Sequence, residues 1–490
     1  MLKTMNLLSL TQAQENLTSD GFSNFTKHHG IKIKPKEVEG LRNLVLQLTE
    51  NGSNAADFEE FHIGYEIPQI GKEFDLLRFG HNFILNIELK SSSTEEKILK
   101  QLKRNDYYLK FIGRSAYHLT YVSNTNTLYN LNENGTLDQA DLAYLAELLK
   151  SQEVEIIEDA NKLFNPSDYL VSPFNSTDRF LNGEYFLTSQ QEEVQLNILK
   201  TIQNTKQENF ISLTGGAGTG KTLLAYDIAK RVMDEGKKSL ILHCGQINSG
   251  QRNLIGSGWT IKPIKSYKSC DFSSYDLILI DEAQRLYENQ LEHIYIETSK
   301  AKANCLFSYD KLQTLAHREE KEDSSGKILK LCSKNSYSLS EKIRSNKEIA
   351  NFIKSLLDNK RNFGKTEGGN IHLRYFSNPD DARFFLTTLD SEEWKVLRFT
   401  PSQYKTEFHE RYSDNNRMTS HEVIGQEFDG VAVVIDKFFT YSDVGKLLYR
   451  GSAYYLPTKM LFQNITRARK RLLVVVVQNE ELLDRCMAIT

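Results

Sequence analysis

The sequence predicts an α/β protein with several domains, and three observations support this fold class. At 490 residues the chain is long enough for about three domains of roughly 150 residues each. Its 39% hydrophobic and 26% charged residues are ordinary for a globular protein. Beyond about residue 180, short apolar strands alternate with helical patterns, which is typical of parallel sheets covered by helices on both faces.

Two features of the sequence exclude membrane and secreted classes. The longest aliphatic run, residues 472–477, has six residues, whereas a membrane-spanning helix needs roughly 20. The first residues, MLKTMNLLSLTQAQENL, reach Gln and Glu before any apolar stretch long enough for a secretory signal. We therefore expect a cytoplasmic protein that makes no membrane contact.

Cysteine usage and net charge limit the sites that the chain can carry. Five widely spaced cysteines without a Cys-x-x-Cys pair predict neither a disulfide framework nor a zinc site. The net charge of −3 lacks the basic excess that indicates non-specific nucleic-acid binding. A nucleic-acid site would have to be a local groove.

The first part of the chain is predicted to be a small α/β unit. Between residues 74 and 131, the extended segments FDLLRF, FILNIELK, YHLTYVS and TLYNL are broken by a helical stretch at 94–111. A helix is expected at 137–150, and the polar stretch around Asn165-Pro166-Ser167 then marks a boundary. We therefore expect a domain at 1–155, a linker at 156–180, and two parallel-sheet domains at 181–335 and 336–490.

A phosphate-binding loop is the most specific motif. The segment Gly215-Gly-Ala-Gly218-Thr-Gly220-Lys221-Thr222 fits G-x-x-x-x-G-K-[ST] and lies between a predicted strand and a predicted helix. Backbone N–H groups of such a loop cradle phosphates, and the lysine adds a point charge at the β and γ oxygens. The hydroxyl of Thr222 is expected to ligate Mg²⁺. The loop predicts ATP as a cofactor.

A second acidic signal follows the apolar strand at 277–280, which ends in Asp281-Glu282-Ala-Gln284. Carboxylates at the carboxyl end of a parallel strand point into the crevice where ligands of such sheets bind. We expect Asp281 to hold Mg²⁺ and Glu282 to orient or deprotonate the attacking water. On its own, an acidic pair after a strand is also consistent with a helix N-terminus.

Six further elements accompany the phosphate loop along the chain: Leu187-Thr-Ser-Gln-Gln191, Asp281-Glu-Ala-Gln284, Tyr309-Asp-Lys-Leu-Gln313, residues 339–345 with Arg344, Thr419-Ser-His421 with Gly425-Gln-Glu427, and Asn464-Ile-Thr-Arg467-Ala-Arg469. In this order they resemble the motifs of the superfamily 1 helicases and, more narrowly, of compact bacterial domains related to the third-group Schlafen helicase domain. The resemblance covers residues 165–478 and implies two RecA-like domains.

The same resemblance implies roles for these elements in ATP binding. Gln191 would read the adenine, Gln313 would sense the γ-phosphate, and Gly425 and Glu427 would contact ATP. Arg344 and Arg467 would stabilise the charge that grows on the γ-phosphate when the cleft closes, which ties hydrolysis to domain motion. The motor is short and has little room for the family's insertions. We expect nucleic-acid-stimulated ATPase activity or short translocation rather than processive unwinding.

A second set of polar residues lies near the N-terminus. Asp75 on one strand, with Glu88 and Lys90 on the next, resembles the pattern of PD-(D/E)xK nucleases, which have a restriction-endonuclease-like fold. Glu88 and Lys90 alternate with apolar residues, so both side chains should share one sheet face. Asp75 and Glu88 would share Mg²⁺, and Lys90 would stabilise charge or position the water. An exposed edge strand, or a nuclease fold that has lost activity, would give the same pattern.

These observations predict an ATP-driven superfamily 1 motor with a metal-dependent nuclease domain, acting on DNA. The expected cofactors are ATP and Mg²⁺, with Mn²⁺ able to substitute in the nuclease site. Two alternatives stay open: an RNA-directed nuclease gated by an ATPase switch, and a motor whose N-terminal domain only binds nucleic acid or a protein. Protein partners or a homo-oligomer are compatible with either. The fusion also resembles architectures used in anti-phage defence.

Overall fold

The computed structural model describes residues 4–31, 33–67, 70–164, 169, 171–203, 208–311, 313–315, 319, 322–340, 347–361 and 369–490. The chain divides into two compact units, Met1–Tyr169 and Leu170–Thr490, and the division falls within the predicted linker. Across the described segments, no helix is both long enough and apolar enough to cross a membrane.

The first unit is built on one mixed sheet of six strands in the order β1-β2-β3-β4-β5-β6, in which only β3 and β4 run parallel. Its strands are β1 (His62–Ile67), β2 (Lys72–Phe79), β3 (Ile84–Lys90), β4 (Ala116–Val122), β5 (Thr127–Leu131) and β6 (Leu137–Ala140). Its helices are α1 (Leu7–Asn16), α2 (Ser19–His29), α3 (Pro35–Glu50), α4 (Glu95–Leu109) and α5 (Leu142–Ser151).

The two faces of this sheet are covered by different helices. Leu41, Leu44 and Leu48 of α3 recur at helical spacing and pack in one core with Ile87 and Leu89 of β3. On the opposite face, α4 packs a smaller cluster against β4. The predicted alternation of β3 is confirmed, because Leu85, Ile87 and Leu89 enter the main core. Asn86 and Glu88 lie on the other face, where both accept hydrogen bonds from Asn105 of α4. The helix predicted at 137–150 differs, since its first residues form strand β6.

The second unit contains two parallel sheets, and the part built on the first of them is called the first lobe. Its six strands are ordered β12-β7-β11-β10-β8-β9: β7 (Phe210–Gly215), β8 (Ser239–His243), β9 (Thr260–Pro263), β10 (Leu277–Asp281), β11 (Asn304–Tyr309) and β12 (Ser336–Leu339). All of the pairings are parallel, as predicted. The helices are α6 (Thr177–Leu181), α7 (Ser189–Gln203), α8 (Lys221–Asp234), α9 (Ser249–Gly256), α10 (Glu288–Ala301) and α11 (Ser324–Leu331).

The second lobe is built on a parallel four-stranded sheet in the order β13-β18-β15-β14. Its strands are β13 (Ile371–Phe376), β14 (Lys395–Val396), β15 (Phe428–Ile435) and β18 (Ala468–Val477), with a separate hairpin of β16 (Phe439–Tyr441) and β17 (Leu447–Tyr449). Its helices are α12 (Lys347–Leu357), α13 (Pro379–Thr388), α14 (Pro457–Ile465) and α15 (Glu480–Ile489).

Two predicted boundaries differ from the structure. Strand β12 pairs with β7, so the first lobe extends to Leu339 rather than ending at 335. The expected linker at 156–180 is not a linker throughout, because Val171, Phe174 and Phe180 belong to the core of the first lobe. These side chains are apolar, and burying them gains free energy that an exposed linker would forgo.

Candidate nucleotide site and N-terminal carboxylate site

The phosphate loop joins β7 to α8, and its glycines meet specific backbone demands. Gly218 and Gly220 have φ values of +86° and +76°, a left-handed conformation that favours glycine. At Gly215 an added Cβ would lie 2.5 Å from Thr219 Oγ1 and 2.9 Å from Leu339 O, so a side chain does not fit. The loop therefore closes against β12 while its backbone leads into the first turn of α8.

Lys221 is the first residue of α8, and its ammonium group reaches back over the loop. Its Nζ donates to Gly216 O at 3.1 Å and lies 4.0 Å from Asp310 Oδ2. Asp310 follows β11 directly and is buried. Because β11 pairs with β7, the loop and this carboxylate meet at the same sheet edge. Sequence reasoning assigned no role to Asp310, although it lies within the third helicase-like element.

Asp281 ends β10 at the same edge. Its Oδ2 lies 2.9 Å from Nδ1 of His243, which ends the neighbouring strand β8, and both side chains are buried. The position of His243 at a strand end was the signal that could have found this contact. The Asp281 carboxylate and the hydroxyl of Thr222, the second residue of α8, are oxygen ligands of the kind that Mg²⁺ prefers. The donor set fits a Mg²⁺ ion held with ATP phosphates.

Glu282 takes a left-handed conformation, with φ of +60°, immediately after β10. Its Oε2 accepts a hydrogen bond from Gln284 Nε2 at 2.7 Å and lies 3.8 Å from Nε of Arg285. Burial opposes ionisation, but the charges of Arg285 and Lys221 outweigh it and lower the pKa of Glu282. The carboxylate is therefore ionised, as a group that orients or deprotonates water requires.

Gln191 and Gln313 lie on the first lobe near this loop. The amide of Gln191 donates to Thr219 O at 3.0 Å and accepts from the Thr188 N–H at 3.0 Å. Gln191 thus contacts the phosphate loop itself. The backbone carbonyl of Gln313 accepts from Gln284 Nε2 at 3.3 Å, which joins the third helicase-like element to the second.

The predicted residues of the second lobe cluster around one turn. The buried guanidinium of Arg467 donates to Gln463 O at 3.1 Å and to Gln426 O at 3.2 Å. Gln426 lies between Gly425 and Glu427, so Arg467 supports the turn that carries both predicted ATP contacts. Arg344 lies outside the described residues.

The segment at 171–176 packs against both lobes. The Phe174 ring makes edge contacts with Tyr226 and His243 of the first lobe, at centroid distances of 5.0 and 6.4 Å. A Cβ on Gly425 of the second lobe would lie 2.7 Å from the same ring. Asn175 Oδ1 accepts from the Glu427 N–H at 3.1 Å. Part of the predicted linker thus lies beside the nucleotide site, which the sequence did not indicate.

A polar cleft of about 360 Å³ opens near this segment. Both lobes line it, through Gln246, Asn248 and Arg252 from the chain after β8, and through Asn415, Arg417 and Gln426 from the chain before β15.

In the first unit, Asp75, Glu88 and Lys90 come together on the sheet face that α4 covers. Lys90 Nζ lies 3.5 Å from Asp75 Oδ2 and 3.7 Å from Glu88 Oε2. Asp75 Oδ2 also accepts from the Leu89 N–H at 2.8 Å. The antiparallel register that pairs Leu76 with Ile87 sets the two carboxylates side by side.

Two carboxylates and one ammonium group lie close together in this cluster, and the protein buries most of their surface. Burial and the negative charge of Glu88 raise the pKa of Asp75 to about 6, against the opposing effect of Lys90. Burial also lowers the pKa of Lys72, whose Nζ lies 3.9 Å from Glu88 Oε1. Lys72 was missed from the sequence, where it reads as an ordinary strand lysine.

Two amides of α4 hold Glu88 in place. Gln101 Nε2 donates to Glu88 Oε2, and Asn105 Nδ2 donates to Glu88 Oε1 at 2.8 Å. Their spacing of one helical turn puts both amides on the same face of α4. An open cleft of about 600 Å³ lies beside Lys90 and is also lined by Lys34 and Glu37.

The donor set of this cluster fits a divalent cation that is only partly enclosed by protein. Within the described segments, no group of three or more His, Cys, Asp or Glu is arranged to hold a metal. Mg²⁺ commonly takes one or two carboxylates and completes its shell with water and substrate phosphates. Asp75 and Glu88 supply that pair beside an open cleft.

Comparison with known proteins finds a family match within the second unit. Residues 208–430 match the family model for the Schlafen group 3 DNA/RNA helicase domain. No curated protein sequence matches the chain.

Three solved structures are among those that match parts of the chain. AMPPCP-bound DnaA from Aquifex aeolicus is 16% identical over 37% of this chain and 56% of its own, with a TM-score of 0.24, so the chain matches little more than half of that protein. The Pif1 helicase from Candida albicans and Bacteroides sp Pif1 in complex with ADP-AlF4 are each 12% identical over 61% of this chain, with a TM-score of 0.34. The match covers 98% and 94% of those two chains.

The geometry of the nucleotide site and the family match concern the same residues of the second unit. A phosphate loop, two acidic residues at the end of β10 and a polar residue at the end of β11 lie together at one sheet edge, within the matched residues. The chain therefore contains a helicase-like P-loop motor region.

Proposed function

We propose that this protein is an ATP-driven translocase of the superfamily 1 helicase type that acts on DNA. The observation that carries the proposal is the arrangement of Lys221, Asp281 and Glu282 at one edge of the first-lobe sheet. The buried turn at Gly425 and Glu427, supported by Arg467, belongs to the second lobe of the same unit. ATP bound at the loop would thus meet groups from both lobes.

The chain's own residues divide the work of hydrolysis. Lys221 and the loop N–H groups bind the phosphates, while Thr222 and Asp281 hold Mg²⁺, which neutralises phosphate charge when bound. Glu282 orients the attacking water and accepts its proton. The His243 ring fixes the orientation of the Asp281 carboxylate.

ATP hydrolysis assayed with and without nucleic acid tests this proposal. We expect the 490-residue chain to hydrolyse ATP, and we expect single-stranded DNA to stimulate hydrolysis more than RNA or duplex DNA does. Stronger stimulation by RNA would favour the RNA-directed alternative. Hydrolysis that no nucleic acid changes would contradict a translocase.

Arg467→Ala should lower kcat by about 10³-fold, with a smaller loss of ATP affinity, if Arg467 acts on charge that grows in the transition state. Nucleotide titration beside steady-state kinetics at saturating oligonucleotide measures both. Arg471→Ala, which removes a partly exposed arginine of β18, the strand that follows Arg467, is the control.

Arg467 also satisfies buried carbonyls, so Arg467→Lys and a thermal melt belong in the same experiment. Equal losses of binding and turnover would instead make Arg467 a ligand of the ground-state phosphate. The same assay applies to Arg344→Ala, which resemblance alone suggests.

We also propose that the first unit is a restriction-endonuclease-like nuclease domain. Asp75 and Glu88 would hold Mg²⁺ or Mn²⁺, which supplies an activated water and neutralises the phosphate when bound. Lys90, within 4 Å of both carboxylates, would stabilise developing charge or position that water. The alternative of a non-catalytic binding domain is favoured if no metal supports cleavage of DNA or RNA.

Metal affinity at this site should fall with acidity. The pKa of Asp75 is raised to about 6, so below that pH a cation must displace a proton from the carboxyl group. We expect the apparent Mn²⁺ affinity to fall about tenfold per pH unit below pH 6 and to level off above it. Calorimetric titration between about pH 5 and 8 measures this, and Asp75→Asn should remove the dependence along with the binding. An affinity that stays constant through this range would contradict metal binding by Asp75.

A role in anti-phage defence is a further proposal that rests on the resemblance in architecture. Cells that express the wild-type chain should resist phages that cells expressing Lys221→Ala do not. Plaque counts compare the two.

A further inference from the structure

Four aromatic rings lie in succession on the second lobe, and we call them the aromatic ladder: Tyr404, Tyr454, Tyr455 and His421. Neighbouring ring centroids are 5.4, 4.9 and 4.7 Å apart in that order. The outer two rings are open to solvent, with Tyr404 78% and Tyr454 48% exposed. Neither the phosphate site nor the carboxylate site uses any of the three tyrosines.

The two segments that carry the outer rings are tied to each other. Lys405 Nζ donates to Ser452 Oγ, and the Tyr454 N–H donates to a carboxylate oxygen of Glu407. Glu407 is buried, with its other oxygen 2.8 Å from Nε2 of His409. The backbone segments that carry the outer rings are thus fixed relative to each other, and ordered segments lose less conformational freedom when a ligand binds.

The surroundings of the ladder favour an anionic ligand with flat rings. The two segments that carry the outer rings, 404–411 and 449–459, hold four cations, Lys405, Arg411, Arg450 and Lys459, and two carboxylates, Glu407 and Glu410, of which Glu407 is buried. Exposed aromatic rings beside cations are the features of single-strand binding surfaces, because every base has a π-face to stack and the cations meet the phosphates. Protein interfaces are also rich in tyrosine, so binding of a protein partner is one of the outcomes that the test below distinguishes.

We propose that Tyr404 and Tyr454 stack on the bases of a single-stranded nucleic acid. This inference rests on the proposed translocase function and adds a binding surface to it.

The inner end of the ladder lies close to the nucleotide site. His421 Nδ1 is 2.7 Å from Thr400 Oγ1. Burial of the His421 ring is the main cause that lowers its pKa to about 3, and the positive charge of Arg285 lowers it further. The ring is therefore neutral and near Arg285, the ion-pair partner of Glu282. The Leu456 N–H donates to Leu315 O at 3.1 Å, which joins the ladder to the chain after Gln313. Strand binding at the ladder should thus be visible in the strand-stimulated ATPase.

The test uses the 490-residue chain and fluorescein-labelled single strands of about 15 nucleotides, near the upper site size of one single-strand-binding fold. One strand carries bases, and a second of equal length is abasic throughout. Tyr404→Ala and Tyr454→Ala should each bind the base-bearing strand about 5- to 100-fold more weakly by anisotropy. The strand concentration that half-maximally stimulates the ATPase should shift by the same factor. On the abasic strand the variants should match the wild type.

Matched controls separate stacking from general loss of surface. Tyr404→Phe and Tyr454→Phe keep the ring and should bind like the wild type. Tyr375→Ala and Phe384→Ala remove rings of the same lobe that are 47% and 73% exposed, and they should leave strand binding unchanged.

The outcomes distinguish this inference from the proposed function. A wild type that binds strands while both alanine variants bind equally well would overturn the ladder alone, and this is also the result expected if the ladder serves a protein partner. Equal weakening on the abasic strand would overturn stacking. A wild type that hydrolyses ATP but neither binds nor responds to any single strand would overturn the translocase itself.

Discussion

Lys221→Ala should abolish ATP hydrolysis, and Glu282→Gln should lower turnover by at least about 10²-fold while ATP still binds. Lys221 supplies the only ammonium group that the structure shows reaching over the described phosphate loop, where Nζ lies 3.1 Å from Gly216 O. Without it, the charge of the β and γ phosphates has no matching cation from the loop. ATP turnover by coupled assay and binding of a fluorescent ATP analogue measure the two effects.

Glu282→Gln separates chemistry from binding. The glutamine has nearly the same shape and keeps a carbonyl oxygen that can accept from Gln284, but it cannot take a proton. Lys237→Ala and Glu288→Gln change exposed residues of the same lobe and should leave hydrolysis unchanged. If Glu282→Gln hydrolysed ATP at the wild-type rate, the assignment of the water-activating group would be wrong.

Asp75→Ala, Glu88→Ala and Lys90→Ala should each remove Mg²⁺- or Mn²⁺-dependent cleavage while ATPase activity stays nearly intact. The cluster lies in the first compact unit and the phosphate loop in the second, so each site keeps its own fold when the other is changed. Because the two carboxylates would share one cation, the double variant should be scarcely worse than either single one. Cleavage of labelled DNA and RNA, run beside the ATPase assay, measures both activities.

Lys90→Ala should behave differently from the carboxylate variants. It ought to keep Mn²⁺ binding and lose the chemical step, because a lysine ammonium is not a metal ligand. Glu88→Ala leaves the buried Lys72 without its carboxylate partner, so Glu88→Gln and a thermal melt distinguish a lost ligand from a lost fold. Glu96→Ala, which changes an exposed acid of α4, is the matched control. A wild-type protein that cleaves neither DNA nor RNA under any metal condition would leave the first unit as a binding domain.

Local patterns predicted the chemistry-bearing segments well. The spacing of the glycines and Lys221 sets the loop whatever the surrounding chain does, since few residue types allow that backbone. The alternation in β3 likewise set Glu88 and Lys90 on one face. Polar and proline residues predicted the linker at 156–180, and the division between the two units falls within it, but Phe174 and Phe180 at its end pack in a core.

The sequence by itself determined the two parallel sheets, the phosphate loop, the acidic pair after β10 and the alternating face of β3, because these depend on residues close together in the chain. Only the tertiary structure decided which distant residues meet them. His243 contacts Asp281 because β8 pairs with β10, and Asp310 reaches Lys221 because β11 pairs with β7. Asn105 reaches Glu88 because α4 covers that face of the sheet. Such contacts depend on strand order and helix packing. Neither can be inferred from the spacing of residues along one segment.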